Sequence, residues 1–305
     1  MTYGCRLPVQ VTPESVDGRN FCVKMASKVT AKGEKGQGMH GKTLKVLLLV
    51  WLLTGCQPTE NKLVITGSST IAPLMAELVE RFEAHSGVQV DVQSGGSGRG
   101  ISDVRQGLAD LGMVSRALKA DEQDLTGHLI ARDGIALIVH QDNPLSSLSR
   151  QQVVAIYTGK LDSWADLGGA ERAITVVHKA DGRSTQELFL KHFGLDNDQI
   201  RADLVIGENQ QGIKAVSADP FAIGYVSIGT AIHELEAGAP LRLLPLQGVP
   251  ASLAALEQGD YPLGRELNLV SAGEPDPHAR ALLAFITDPA QAEVYRDYYF
   301  LPAPR

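Results

Sequence analysis

Three loops in this chain share one kind of chemistry. Each follows a strand-like run, is rich in Gly, Ser or Thr, and opens a helical pattern. They are Gly67-Ser68-Ser69-Thr70 before a helix at 71, Ser94 to Gly100 (SGGSGRG) before a helix at 101, and Asp181-Gly182-Arg183-Ser184-Thr185 before a helix at 186. A helix N-terminus carries unpaired backbone N–H groups and a partial positive charge. Glycines let backbone approach a ligand and hydroxyls add donors, so each loop is a candidate anion cradle. One such loop alone would serve as an ordinary helix cap, where Ser and Thr are preferred. Three in one chain, two of them holding an arginine (Arg99 and Arg183), point to a shared anion site.

Other chemistries fail on spacing. A nucleophile elbow needs Gly-x-Ser-x-Gly, and Gly95-Gly96-Ser97-Gly98-Arg99 fails at the last place. The dinucleotide fingerprint needs a glycine where Ile101 stands. Gly36 to Thr43 (GQGMHGKT) has the P-loop spelling, but AKGEK before it is no strand and an apolar run follows it. The eight histidines do not cluster at metal spacing, so neither metal nor cofactor is expected.

The elements that must position these loops alternate between strand and helix, which predicts an α/β architecture with a mostly parallel sheet. Strands are expected at Leu63–Thr66, Val88–Val92, Ile135–Val139, Ile174–His178 and Ala222–Val226. The clearest helix is 71–82, with Ile71, Leu74, Met75, Leu78, Val79 and Phe82 on one face. Further helices are expected around Ile101, Val104 and Leu108, at 150–157, at Glu187–Phe193, and through most of Pro277–Tyr295. Tyr157 and Trp164 are expected to pack a second lobe.

The front of the chain reads as an address. Lys42 and Lys45 precede the apolar run Val46–Leu53, which is far short of the roughly 20 residues that span a bilayer. It reads as the core of a signal peptide. Leu53-Thr54-Gly55-Cys56 resembles a bacterial lipobox, which implies that Cys56 is lipidated and that 39–56 is the signal segment. Residues 1–38 are polar and precede the charged start of that signal, so translation is expected to begin at Met39. Cys5, Cys22 and Cys56 are the chain's three cysteines, so the last 249 residues offer no disulfide or thiol metal site. Residues 1–56 hold eight basic and three acidic side chains; the remainder has 20 against 32, a net of −12. Such a surface disfavours nucleic acid and anionic lipid, and an anion must then be held by local groups.

Taken in order, Gly67-Ser-Ser-Thr-Ile-Ala-Pro73, Gly95-Gly-Ser-Gly98, Ala109-Asp-Leu-Gly-Met-Val-Ser-Arg116, Asp133-Gly-Ile135, Tyr157-Thr-Gly159 with Trp164, and Ala222-Ile-Gly-Tyr-Val226 resemble the phosphate-binding proteins of bacterial ABC importers. The resemblance covers most of residues 63–300. It implies a two-lobed type II periplasmic-binding-protein fold, with mixed, mostly parallel sheets and flanking helices. Residues 57–137 and 226–305 would form one lobe and 138–225 the other. It implies that Ser69, Thr70 and Ser97 contact phosphate from the first lobe, and Ser184 and Thr185 from the second. Ser68 and Gly98 complete the first two loops. Two positions depart from the family pattern. Lys179 stands where the family has an arginine, with Asp181 and a new Arg183 following it. Ser115, followed by Arg116, stands where a well-studied branch has an aspartate, and Ser115, Arg116, Lys179, Asp181 and Arg183 join Ser68, Gly98 and the loop hydroxyls as expected ligand residues.

The residues alone give an anion-binding α/β protein, and the resemblance supplies phosphate. It also implies a monomeric, lipid-anchored protein in the periplasm or at the cell surface that serves an ABC permease complex in the cytoplasmic membrane. Sulfate or molybdate as the ligand, or sensing without transport, are the neighbouring readings. A phosphate-ester hydrolase using Ser97 or Ser184 is remote, because no cluster of His or acidic residues near them offers a base.

Overall fold

The structure, a computed structural model, describes residues 62–304. The signal segment, Cys56 and the P-loop spelling lie outside the described residues. In chain order the strands are β1 (Lys62–Gly67), β2 (Gln89–Ser94), β3 (Leu111–Val114), β4 (Thr126–His140), β5 (Thr175–Lys179), β6 (Leu204–Ile206), β7 (Ala222–Ser227), β8 (Leu241–Leu244), β9 (Gly264–Ser271) and β10 (Leu301–Pro302). The α-helices are α1 (Ala72–Ser86), α2 (Ser97–Arg105), α3 (Arg150–Tyr157), α4 (Ser184–Phe193), α5 (Asn209–Ala218), α6 (Ile228–Glu236), α7 (Leu253–Gln258), α8 (Pro277–Ile286) and α9 (Ala292–Asp297).

The strands follow the order β2-β1-β3-β9-β4-β7-β5-β6. Pairing is parallel toward both ends, where β1 joins β2 and β3, and β5 joins β6 and β7. It is antiparallel in the middle, where β9 joins β3 and β4, and β7 and β8 join β4. The long strand β4 is shared. Its first part, through Gly134, pairs with β9, and from Ile135 it pairs with β7. One strand thus ties the two halves together.

Each half has its own core. Leu63, Ile65, Leu74, Phe82, Met113, Leu267, Leu282 and Phe300 pack together in the first. Leu137, Tyr157, Trp164, Phe189, Tyr225, Leu256 and Leu263 pack in the second, so Tyr157 and Trp164 lie where the sequence expects them. The second core runs further along the chain than the expected boundary at 226. Strand β8 pairs with β4 from Leu137 to His140, and Leu244, Leu256, Tyr261 and Leu263 join this core.

Two sequence expectations shift for local reasons. Leu108 is not part of the helical stripe: Gly107 takes φ 66° just after Arg105 ends α2, and Leu108 is 62% exposed. The C-terminal helical stretch is broken between Ile286 and Ala292, where Pro289 lacks the N–H that a continuing helix needs and Asp288 caps the next turn.

Candidate functional site

The N-termini of α1, α2 and α4 point at one place, from both halves. Among the described residues, none of the three helices carries a side-chain cap hydrogen bond. In α3, α6, α7 and α8, by contrast, Ser149, Ser227, Ser252 and Asp276 accept first-turn N–H bonds. Part of each first turn is already engaged: Ala72 N donates to Ser68 O (3.0 Å), Gly98 N to Gly182 O (3.1 Å) and Gln186 N to Arg183 O (2.9 Å), and Pro73 has no N–H. The N–H groups of Ser97, Ser184 and Thr185 have no partner among the described residues and remain for a ligand.

Around them lies a cavity of about 10 Å³, lined by Ser68, Ser69, Thr70, Gly96, Ser97, Ser115, Lys179, Arg183, Ser184, Thr185 and Gly207. Nine of the residues singled out in the sequence are in this set. The halves touch here: the Ser184 hydroxyl bonds that of Ser97, Gly98 N donates to Gly182 O (3.1 Å), and Asn209 Nδ2 donates to Thr70 Oγ1 (3.1 Å). Gly96 allows this approach. It has φ 95°, and a Cβ there would lie 2.8 Å from Gly182 O and 2.7 Å from the Arg183 Cδ.

The sequence reading missed a residue that does not line this cavity but bonds three of its hydroxyls. Arg265, on β9, is buried among these loops. Its Nε and Nη2 donate to Asp133 Oδ2 on β4 (3.0 and 2.8 Å), and Asp133 Oδ1 accepts from Gly229 N (3.2 Å). Its remaining donors go to hydroxyl oxygens: Nη1 to Thr185 Oγ1 (2.9 Å) and Ser115 Oγ (3.4 Å), and Nη2 to Thr70 Oγ1 (3.0 Å). A hydroxyl has one proton and accepting lone pairs. With arginine donating to one lone pair, each hydroxyl keeps its own proton. Arg265 thus leaves the protons of three hydroxyls to donate to an anion. Its own charge is balanced by Asp133, as a buried charge must be. The alternation of Leu267 and Leu269 was the one sequence signal for β9; nothing paired Arg265 with a carboxylate 132 positions earlier.

Three expected site residues are used otherwise. The Arg116 guanidinium forks onto Glu122 (2.6 and 2.8 Å), and its Nε reaches Glu187 of α4 (3.0 Å), which Lys119 also meets (2.8 Å). It ties the two halves together beside the cavity instead of lining it. The Asp181 carboxylate accepts from Gln186 Nε2 (2.7 Å) and Asn197 Nδ2 (3.1 Å), which fixes the third loop. Gly98 contributes its backbone to the contact between halves.

Lys179 is buried at the end of β5, and its Nζ donates to Asn209 Oδ1 (2.9 Å). Arg183 pairs with Glu208 (2.7 Å). Beneath Lys179, the Tyr225 hydroxyl accepts from Lys179 N (3.3 Å) and so donates to His178 Nδ1 (2.8 Å). That leaves the Nε2 proton of His178 for Asn197 Oδ1 (2.9 Å), a neutral ring whose pKa burial lowers. A larger cavity of about 420 Å³, against Ile130, Ile286 and Tyr295, has no basic side chain among its described lining and offers nothing to an anion.

Residues 54–290 match the family described as the PBP superfamily domain. The phosphate-binding protein PstS of Bacillus subtilis is 28% identical over 255 residues, covering 81% of this chain and 83% of its own. The protein of the same name from Pseudomonas aeruginosa is 28% identical over 269 residues, covering 78% and 82%. Among solved structures, a putative phosphate ABC transporter substrate-binding protein from Clostridium perfringens, with bound phosphate, superimposes with a TM-score of 0.73 at 27% identity, over 80% of this chain and 100% of that one. An ABC-type phosphate transport receptor from Vibrio cholerae follows at 0.65 and 27%, over 79% and 100%.

Proposed function

This chain belongs to the PBP superfamily, and on that premise we propose that it captures inorganic phosphate outside the cytoplasm for delivery to an ABC importer. One observation carries the reading: N-termini of three helices without side-chain caps meet around hydroxyls that accept from Arg265 and keep their own protons to donate. The relatives named for phosphate binding support phosphate within the oxyanion class, and support a binding protein over an enzyme.

The capture works by closure. Residues 62–134 with 264–304 act as one lobe and 135–263 as the other. Entry of an anion into a cavity of about 10 Å³ requires them to part, and the anion then bridges Ser69, Thr70 and Ser97 to Ser184 and Thr185. Lys179 and Arg183 supply charge from the second lobe, and Ser115 supplies a further donor. Arg116, Lys119 and Glu187 hold the closed state. Export depends on residues 39–56, and a lipid on Cys56 anchors the protein, as a monomer, beside its permease complex.

Calorimetric titration of the purified protein with phosphate, sulfate and molybdate tests the ligand. Phosphate is expected to bind tightest; no phosphate binding, or preference for another of the three, overturns the assignment. Small-angle scattering is expected to show a smaller radius of gyration with saturating phosphate than without, and unchanged dimensions refute closure. Cys56→Ala is expected to leave the membrane fraction, whereas an unmodified, membrane-free wild type removes the anchor.

A further inference from the structure

Among the described residues, the cavity wall contains no carboxylate. The nearby acidic side chains are already engaged: Glu208 with Arg183, Asp133 with Arg265, and Asp181 with Gln186 and Asn197. Arg265 fills accepting positions of Thr70, Thr185 and Ser115. The wall is therefore rich in donors, which suits any tetrahedral oxyanion. It leaves open how phosphate, which keeps a proton near neutral pH, is told from sulfate, which has none.

One atom on the wall can change role. Among the described residues, the Lys179 Nζ makes a single side-chain hydrogen bond, to Asn209 Oδ1, and has no carboxylate partner of its own. The groups around it are Arg183, Arg265 and Glu208, with Tyr225 and His178 beneath its backbone. A buried ammonium without a counter-charge is costly. It gains one when an anion binds, and it can otherwise shed its proton. An ammonium has only donors. A neutral amine has a lone pair.

Resting on the phosphate reading above, we propose that Lys179 is the residue that separates phosphate from sulfate. As an ammonium it holds either anion. As a neutral amine its lone pair accepts the P–OH hydrogen bond, which sulfate cannot donate. The same lone pair faces the sulfate oxygens as a mismatch, and unpaired polar groups of this kind discriminate strongly.

The environment puts the change of role in a useful range. Burial brings Lys179 down to about 7; Glu208 pulls against this, and Arg265 and Arg183 push the same way as burial. Below that pH the ammonium is present in the free protein. Above it the amine prevails, and sulfate must bring a proton from solvent to restore the ammonium. Monohydrogen phosphate brings its own.

The test is the pH dependence of both affinities in the purified wild type, by calorimetry, with phosphate expressed as the monohydrogen species. Above neutrality the sulfate Kd is expected to rise about tenfold per pH unit, the slope for uptake of one proton, while the phosphate Kd changes by less than about threefold. Lys179→Arg, which stays charged and has no lone pair, is expected to flatten the sulfate slope and reduce the preference for phosphate at high pH. The wild-type slopes decide the matter even where the variant does not fold. Parallel slopes for the two anions overturn the role of Lys179 and leave phosphate capture standing. No phosphate binding at any pH removes the capture reading itself.

Discussion

Asp133→Asn tests the centre of the site. The carboxylate takes two N–H bonds from Arg265 through Oδ2 and the Gly229 N–H through Oδ1. Asparagine nearly preserves the shape but has one oxygen and one NH2. With its oxygen toward Arg265, its NH2 faces the Gly229 N–H; turned over, it faces the guanidinium. Either way donor meets donor, and the Arg265 charge loses its counter-ion where its side chain is 1% exposed. Removing one partner of a buried ion pair costs about 3–5 kcal/mol. For a domain of this size that is roughly 6–20 °C in Tm. Thermal melts followed by circular dichroism measure it. The double variant Asp133→Leu with Arg265→Met separates stability from binding. It leaves no buried charge, so its stability is expected to return to within about 1–2 kcal/mol of wild type. Its hydroxyls at Thr70, Ser115 and Thr185, however, lose the donor that orients them. At about 0.5–1.5 kcal/mol per hydrogen bond, phosphate affinity is expected to fall roughly ten- to a thousand-fold. A single variant that loses less than about 1 kcal/mol, or a double variant that binds like wild type, refutes the argument.

Further outcomes follow from the same geometry. Alanine at Thr70, Ser97 or Thr185 is expected to weaken phosphate binding by about 1–3 kcal/mol each, the scale of a hydrogen bond to a charged group, read by calorimetry. Gly96→Ala forces a Cβ against Gly182 O and the Arg183 side chain, so scattering with saturating phosphate is expected to show incomplete closure; full closure contradicts the steric argument. Stability without anion also depends on Lys179. Its pKa is lower folded than unfolded, so the unfolded chain holds the extra proton between about 7 and the ordinary lysine value. Folding stability is therefore expected to rise with pH across that window, and the penalty is fully present below it. Urea unfolding of Lys179→Met at several pH values is expected to remove that rise; an unchanged slope assigns it to other groups.

Much of this protein is fixed by local pattern. The apolar stripe of α1 and the Gly-Ser-Thr loops are short-range features, and a strand running into a helix with hydroxyls at the junction is recognisable wherever it folds. Seven cavity residues were legible for that reason, and Ser115 and Lys179 came from the family resemblance. What the loops do together was not legible, because it depends on β4 and β9 lying side by side at Asp133 and Arg265. That pair joins positions 132 residues apart, and no local periodicity encodes which buried arginine meets which carboxylate. The same holds for Arg116, whose place in the chain suggested a ligand contact until packing brought Glu122 and Glu187 within reach. Sequence determines which groups can hold an anion. Tertiary structure decides which charges are already neutralised, because a charge buried by folding must first find its partner inside the protein.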